Sequence, residues 1–479
     1  MVRAEQETIY RAELVHRGGA FVEDTAVVVS QGRIAGFLDG EAWRERAARG
    51  AVVSDLGPVA LVAGQVNVHS HSFQRGLRGL TEEVGSDGSN FWSWRDQMYE
   101  LARWVDADAV EIIAAMAFLE MALRGITHVG EFHYLHHRPD GTPYEDPDEL
   151  ALRIGRAART VGIRLTLLPV AYHTGAIGEP AKPEQRRFVE PDVETYLGRV
   201  KRLAHRWEGQ PRRSVGMAPH SIRAVPREWM EAIAAAARAE AMAVHIHACE
   251  QKKELQASEE AYGATPVEVL HRWGVLDGGW TLIHGTHISE RELEILEEFK
   301  PTVGACPTTE RNLGDGFLPA RKLVGRGVPI SLGSDSHTVI DPFEEMRLVE
   351  YHERLQRQER NVLAAVDPRR PRSTAQVLWP MGTVQGAQCL GSDGGVLDVG
   401  RPADFIGLDL RDPSLVGATP ESLLSDVVLS MSASAVRDVV VDGERVVSRG
   451  HHGQAPEILD RFQALMRRFA LRAGREERR

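Results

Sequence analysis

From residue 61 to about residue 340 the chain alternates short apolar runs with longer segments whose apolar residues recur every three to four positions. That alternation predicts parallel strands joined by crossover helices. Eight runs carry it, at 61–68, 126–132, 163–170, 214–218, 243–247, 281–284, 302–306 and 329–332. Between them lie predicted helices, among them 106–124, 147–161, 226–241 and 342–356. Pro226 and Pro342 suit a first helical turn, where no N–H is needed. Eight β/α units place the chain in the α/β class and favour a closed (β/α)₈ TIM-like barrel over an open doubly wound sheet.

The two ends follow a different pattern. Residues 8–16, 20–30, 33–37 and 51–56 read as short strands, with Gly18-Gly19 and Gln31-Gly32 placed for tight turns. Strand character returns after about residue 393, in 400–409, 436–441 and 444–448, and Asp442-Gly443 is a hairpin turn pair between the last two. The simplest arrangement folds residues 1–60 and 393–450 into one small β-sandwich beside a barrel of residues 61–392. Residues 456–479 predict an amphipathic helix with a charged tail, the main part of a C-terminal unit at 451–479.

A chain of 479 residues suits one large barrel plus an accessory unit, and 43% hydrophobic with 26% charged residues is an ordinary globular mix. The net charge of −11, with no basic block before the extreme C-terminus, argues against nucleic acid and anionic membrane as partners. Cys249, Cys306 and Cys389 are too scattered for a disulfide framework or a cysteine zinc site. No apolar run follows the N-terminal charges, and none reaches the roughly 18 residues of a membrane span. A cytoplasmic protein is expected.

The polar residues of interest collect at the C-terminal ends of the predicted strands, where barrel enzymes build their active sites. Strand one ends in His69-Ser-His71, and alternation puts both imidazoles on one face. Strand five carries His245-Ile-His247-Ala-Cys-Glu250, strand six His284-Gly-Thr-His287, and strand eight Asp335. Taken singly, His245 or His287 is as well read as a hydrogen-bonded core histidine, and Asp335 as a helix cap. Four strand ends together point to a metal centre, because neutral imidazoles and a carboxylate suit zinc or ferrous iron.

His69-x-His71, His247 three residues before Glu250, His284, Asp335 and the returning segment Gly400-Arg-Pro-Ala-Asp404 resemble the amidohydrolase superfamily. Strand four lacks the lysine of its binuclear members, so the resemblance is to the mononuclear deaminase branch. Further motifs narrow it: His69-Ser-His-Ser-Phe-Gln74, Phe91-Trp-Ser-Trp-Arg95, Glu131-Phe-His-Tyr134-Leu-His-His137, Ala218-Pro-His220-Ser-Ile-Arg223 and Asn312-Leu-Gly-Asp-Gly316. These look like the formimidoylglutamate deiminases, although Ser72 stands where that family suggests alanine and Pro307-Thr308-Thr309 is a more polar turn than expected.

The resemblance implies hydrolysis of N-formimino-L-glutamate to N-formyl-L-glutamate and ammonia, in histidine degradation. It implies one divalent ion, zinc before ferrous iron, held by His69, His71, His247 and Asp335. Glu250, His284 and Asp335 would be the catalytic groups. Gln74, Arg95, Tyr134, His220 and Arg223 would bind the substrate, since two buried carboxylates need cations or several donors. For Arg95 the competing reading is a surface arginine packed on Trp92 or Trp94. His133, His136 and His137 read as supporting or surface polar groups rather than a second metal site. A small-molecule substrate and a homodimer are expected. The rival function is a deaminase of guanine, cytosine or a methylthioadenosine-like nucleoside, which would favour apolar or stacking walls over two arginines.

Overall fold

The computed structural model describes residues 7–82, 91–367 and 372–476. Eight parallel strand positions succeed one another along the chain: Gln65–Ser70, Ile126–His133, Arg164–Ala171, Arg213–Val215 continued by Ala218–Pro219, Val244–Ala248, Trp280–His284, Thr302–Ala305 and Ile330–Leu332. The first four pair in sequence order as one parallel sheet, and the last four as another. Isolated parallel bridges at Met217–Val244 and Ser70–Asp335 join the two sheets at both seams, so the order closes into a ring. Helices follow the strands, and burial of nearly every strand residue explains why the runs are almost continuously apolar.

The predicted first run, 61–68, is corrected by the structure. Val59–Ala63 is a strand of a separate sheet, antiparallel to Phe405–Asp409, and Gln65–Ser70 opens the ring. Both pieces are buried throughout, so no change of periodicity marks the junction. Gly64 makes the transition. A Cβ there would sit 2.2 Å from Thr127 Oγ1 and 2.8 Å from Thr127 Cβ, so the clash reaches the stem of a stiff β-branched side chain. Gly64→Ala is expected to cost about 1–3 kcal/mol, read as a lower urea midpoint at constant slope. An unchanged midpoint would mean that Thr127 simply moves aside.

The helix starts follow local capping chemistry. Ala107–Leu123 begins at Asp106, whose carboxylate accepts from Ala109 N–H at 2.8 Å. Pro342–Arg357 begins after Asp341, which accepts from Phe343 and Glu344 N–H, with Pro342 in the first turn as expected. Pro226 stands one position earlier than predicted, as the cap of Arg227–Glu240.

Strands from both chain ends share a seven-stranded sheet, in the order His451–His452, Glu444–Ser448, Val436–Val441, Phe405–Asp409, Val59–Ala63, Leu14–Arg17, Ala20–Glu23. A four-stranded sheet holds Arg33–Leu38, Ala26–Ser30, Thr8–Arg11 and Val52–Asp55. The predicted strands 8–16 and 20–30 therefore each break in two, one half for each sheet. One buried cluster draws on both sheets, with Tyr10, Val27, Ile34, Leu61, Phe405 and Val440 among its members. Arg164, on the third ring strand, makes a two-point contact with Asp404 at 2.8 and 3.1 Å and so ties the ring to the seven-stranded sheet.

Helix Gly40–Ala48, between Arg33–Leu38 and Val52–Asp55, has no counterpart among the predicted elements. The predicted C-terminal helix is Ala455–Glu476, and the last three residues of the expected tail lie outside the described residues. Among the described residues no helix is long and apolar enough to cross a membrane. All three cysteines are free and buried.

Candidate active site

The C-terminal ends of strands one, five, six and eight bring their polar side chains to one mouth of the ring. Cys249 (φ 58°), His284 (φ 75°) and Asp335 (φ 46°) lie in the left-handed backbone region there. Non-glycine residues adopt that region at a cost of order 1–3 kcal/mol when the surroundings hold them in it, and they concentrate where side chains must be aimed.

His69, His71, His247 and Asp335 are all buried, and each offers a ligand atom within 4.8 Å of the other three. Asp335 Oδ1 lies 3.3 Å from His69 Nε2 and 3.2 Å from His71 Nε2, and His247 Nε2 lies 3.1 Å from His69 Nε2. His71 Nδ1 donates to the Phe132 carbonyl at 2.9 Å, and His247 Nδ1 to the His220 carbonyl at 3.0 Å. Those bonds fix both tautomers and leave the Nε2 lone pairs facing the centre, as metal-ligating histidines require. Burial pushes His69 down to about 3 and His247 well below the ordinary imidazole range. Burial would raise the Asp335 carboxyl, but its contacts with His69 and His71 outweigh that and hold it well below the usual range. Three imidazoles and a carboxylate are a donor set that fits a divalent ion.

Glu250 and His284 stand beside this quartet. The Glu250 carboxylate is 3.7 Å from His284 Nε2, and Glu310 lies 3.4 Å from His284 Nδ1. Burial alone would depress His284, yet Glu250, Glu310 and Asp335 together raise it to about 10. Burial raises the Glu250 carboxyl, with His284 acting against it. The Glu250 backbone is held at both ends: its N–H donates to Glu254 at 3.0 Å and its carbonyl accepts from Thr286 Oγ1 at 2.8 Å.

His284, Cys306 and Glu310 form a second close group. Burial pushes the Cys306 thiol well above its ordinary range, and Glu310 already accepts from Cys306 N–H at 2.8 Å. Glu310 thereby bridges the Cys306 N–H and His284 Nδ1 and orients the imidazole. Sequence reasoning passed over Glu310, whose one signal was the unexpectedly polar turn at residues 307–309.

A cavity of about 660 Å³ opens onto the quartet, and Gln74, Arg95, Tyr134, His220 and Arg223 all line it together with Glu250, His284 and Asp335. Trp94, Tyr99, Tyr172 and Phe188 form aromatic wall around them. Gln74 donates to Tyr134 Oη at 2.7 Å, and the His220 ring packs edge-on to Tyr172. Arg95 lies 4.3 Å from the Trp92 ring centre and still borders the cavity, so its two readings describe one position. Among the described residues neither Arg95 nor Arg223 forms an ion pair.

The other histidines stay out of the cavity. His136 and His137 donate to the carbonyls of Val170 and Val189 at 2.8 and 2.9 Å. His133 and His136 are buried, which corrects the surface reading, and burial pushes His133 down to about 3. His245 Nε2 donates to the Cys389 carbonyl at 2.9 Å, the core reading offered above.

The model of the Amidohydrolase family matches residues 60–446. Formimidoylglutamate deiminase from Pseudomonas aeruginosa is 40% identical over 394 residues, covering 82% of this chain and 86% of that protein. The 5-methylthioadenosine/S-adenosylhomocysteine deaminase of Shouchella clausii is 29% identical over 448 residues, 91% of each chain. The crystal structure of an amidohydrolase from Brucella melitensis superposes with a TM-score of 0.86 at 33% identity, over 96% of this chain and 99% of that one. With polar strand ends, a buried histidine–aspartate quartet and this match over most of its length, the chain belongs to the amidohydrolase family.

Proposed function

We propose that this chain hydrolyses the formimino carbon–nitrogen bond of N-formimino-L-glutamate, releasing N-formyl-L-glutamate and ammonia. The observation that carries the reading is the pair of arginines, Arg95 and Arg223, that border the cavity without an ion pair of their own among the described residues. Guanidiniums beside a cation site and a cationic formamidinium would repel one another unless the substrate brings anions. Two carboxylates supply them, and each can form a charge-assisted hydrogen bond.

His69, His71, His247 and Asp335 would hold one divalent ion, zinc in preference to ferrous iron. Such an ion lowers the pKa of water towards neutrality and makes hydroxide available at working pH. Asp335 has a second carboxylate oxygen to take the proton of the attacking water. Glu250, raised by burial, delivers a proton to the departing nitrogen. His284, held between Glu250 and Glu310, orients the nucleophile or stabilises the tetrahedral intermediate. Gln74, Tyr134 and His220 complete the substrate contacts.

In this reading the ring of strands is a (β/α)₈ barrel that starts at about residue 65 instead of the expected 61 and runs to about residue 392. The two outer sheets are a β-sandwich whose first segment runs to residue 63 instead of the expected 60 and whose second is 393–450. The C-terminal unit is 451–479, and the enzyme works as a cytoplasmic homodimer.

Arg95→Met and Arg223→Met should each lower kcat/KM for N-formimino-L-glutamate tens- to thousands-fold with metal content unchanged. That corresponds to about 2–5 kcal/mol for a broken, desolvated charge pair. The deciding assay measures ammonia release from N-formimino-L-glutamate, guanine, cytosine and methylthioadenosine at equal concentration. Faster turnover of a nucleobase or nucleoside would transfer the aromatic wall to a stacking role and reject the dicarboxylate substrate.

A further inference from the structure

A buried chain of hydrogen bonds crosses the seam between the first and eighth ring strands, and it has one direction. Asn67 Nδ2 donates to Ser334 Oγ at 2.7 Å, and Ser334 Oγ lies 3.0 Å from His337 Nδ1. His337 Nε2 lies 3.0 Å from Ser70 Oγ, which donates to Glu131 Oε2 at 2.5 Å. The other Glu131 oxygen accepts from Ser72 N–H at 2.8 Å and from Ser72 Oγ at 2.6 Å. All six residues are buried.

The direction follows from counting protons. The Ser72 N–H cannot turn round. Burial raises the Glu131 carboxyl while the three bonds from Ser70 and Ser72 act against that, and the ionised form those bonds favour has only acceptors to offer. Ser70 has one hydroxyl proton and gives it to Glu131, so the bond from His337 Nε2 must be donated by His337. A neutral imidazole that donates at Nε2 accepts at Nδ1, so Ser334 donates there and accepts from Asn67. Every proton in the chain points towards Glu131.

The chain grips the metal quartet on three sides. Ser70 and Ser72 flank His71, and Asn67 Oδ1 accepts from His69 N–H at 3.3 Å and from Ser334 N–H at 3.0 Å. Ser334 immediately precedes Asp335. We infer that Glu131 is a positioning residue for the metal centre: it anchors a one-way hydrogen-bond strap that fixes His337 as the Nε2–H tautomer and locks the strand carrying His69 and His71 to the strand end carrying Asp335. This rests on the reading of those residues as metal ligands, and no part of it depends on the substrate.

The test uses the zinc-loaded chain labelled with ¹⁵N-histidine. Long-range ¹H–¹⁵N correlation, with the His337 signal assigned by its loss in His337→Gln, should show the Nε2–H tautomer. An Nδ1–H tautomer in the parent would overturn the inference, and this measurement needs no altered strap. Glu131→Gln keeps the shape but offers one acceptor end where two are needed. Its carbonyl must serve the Ser72 N–H, which leaves an NH₂ group facing Ser70. The Ser70 hydroxyl then turns to His337, and His337 should switch to Nδ1–H.

Zinc affinity, measured by competition with a chelator, should fall about 10–100-fold in Glu131→Gln, the usual scale for losing a partner that supports metal ligands. The absorption bands of the cobalt-substituted protein should shift with it. Ser72→Ala keeps the backbone N–H bond and should retain the parental tautomer and nearly parental zinc affinity. Parental zinc affinity and cobalt spectrum in Glu131→Gln would refute the positioning role. Failure with N-formimino-L-glutamate would leave all of these readouts intact, so the two readings fail separately.

Discussion

His247→Ala is expected to leave a chain that keeps no divalent ion through dialysis and has no measurable turnover. His247 Nε2 sits 3.1 Å from His69 Nε2, and its Nδ1 is committed to the His220 carbonyl, so its imidazole is held with Nε2 towards the quartet. Removal leaves two imidazoles and one carboxylate, with the Phe132 ring 4.5 Å between centroids from the lost imidazole. The parent should bind one equivalent per chain, since the four residues proposed as ligands offer atoms within 4.8 Å of one another and the fourth ring strand carries no lysine. Elemental analysis decides both statements. Two equivalents required for activity, or one equivalent retained by His247→Ala, would discard the single-ion centre.

Glu250→Gln should behave differently: full metal content, with turnover reduced by roughly 10²-fold or more, the scale of a lost general acid or base. Glu250 stands apart from the quartet, 3.7 Å from His284, so its amide should leave the ligands undisturbed. The backbone clamps from Glu254 and Thr286 persist in the variant, which keeps the side chain in place and isolates the loss to proton transfer. Near-parental turnover would assign the proton shuttle to His284 instead. Metal loss in Glu250→Gln would count equally against the role, by placing Glu250 among the ligands.

The quartet and His284 are legible in the sequence because they interrupt a strong pattern. His69, His71, His247, His284 and Asp335 end apolar runs, and strand alternation says which of them share a face. Arg95 and Arg223 came from motif resemblance, since nothing in their spacing distinguishes a cavity arginine from one packed on Trp92. Glu131 and Glu310 were missed for a physical reason. Each is a lone carboxylate whose meaning lies in partners that the fold brings from elsewhere: Ser70 and Ser72 for Glu131, His284 and Cys306 for Glu310. The joined run 61–68 hid its break in the same way, because Val59–Ala63 and Gln65–Ser70 are both buried and differ only in the sheet they join.

The position of Val59–Ala63 in its sheet carries a consequence for synthesis. One neighbour, Leu14–Arg17, precedes it, and the other, Phe405–Asp409, is last to arrive: Ala63 pairs with Phe405, 342 positions further on. At about 5–20 residues per second the ribosome needs roughly 17–70 s to cover that distance. Throughout that interval the nascent chain presents an unpaired, wholly apolar strand edge, the kind that other chains pair with. Early folding of the ring strands does not relieve it, because Gly64 directs Val59–Ala63 out of the ring. Arrival of Phe405–Asp409, rather than completion of the ring strands, is therefore the step that covers this edge, and chains truncated before residue 405 should be recovered mainly as insoluble material.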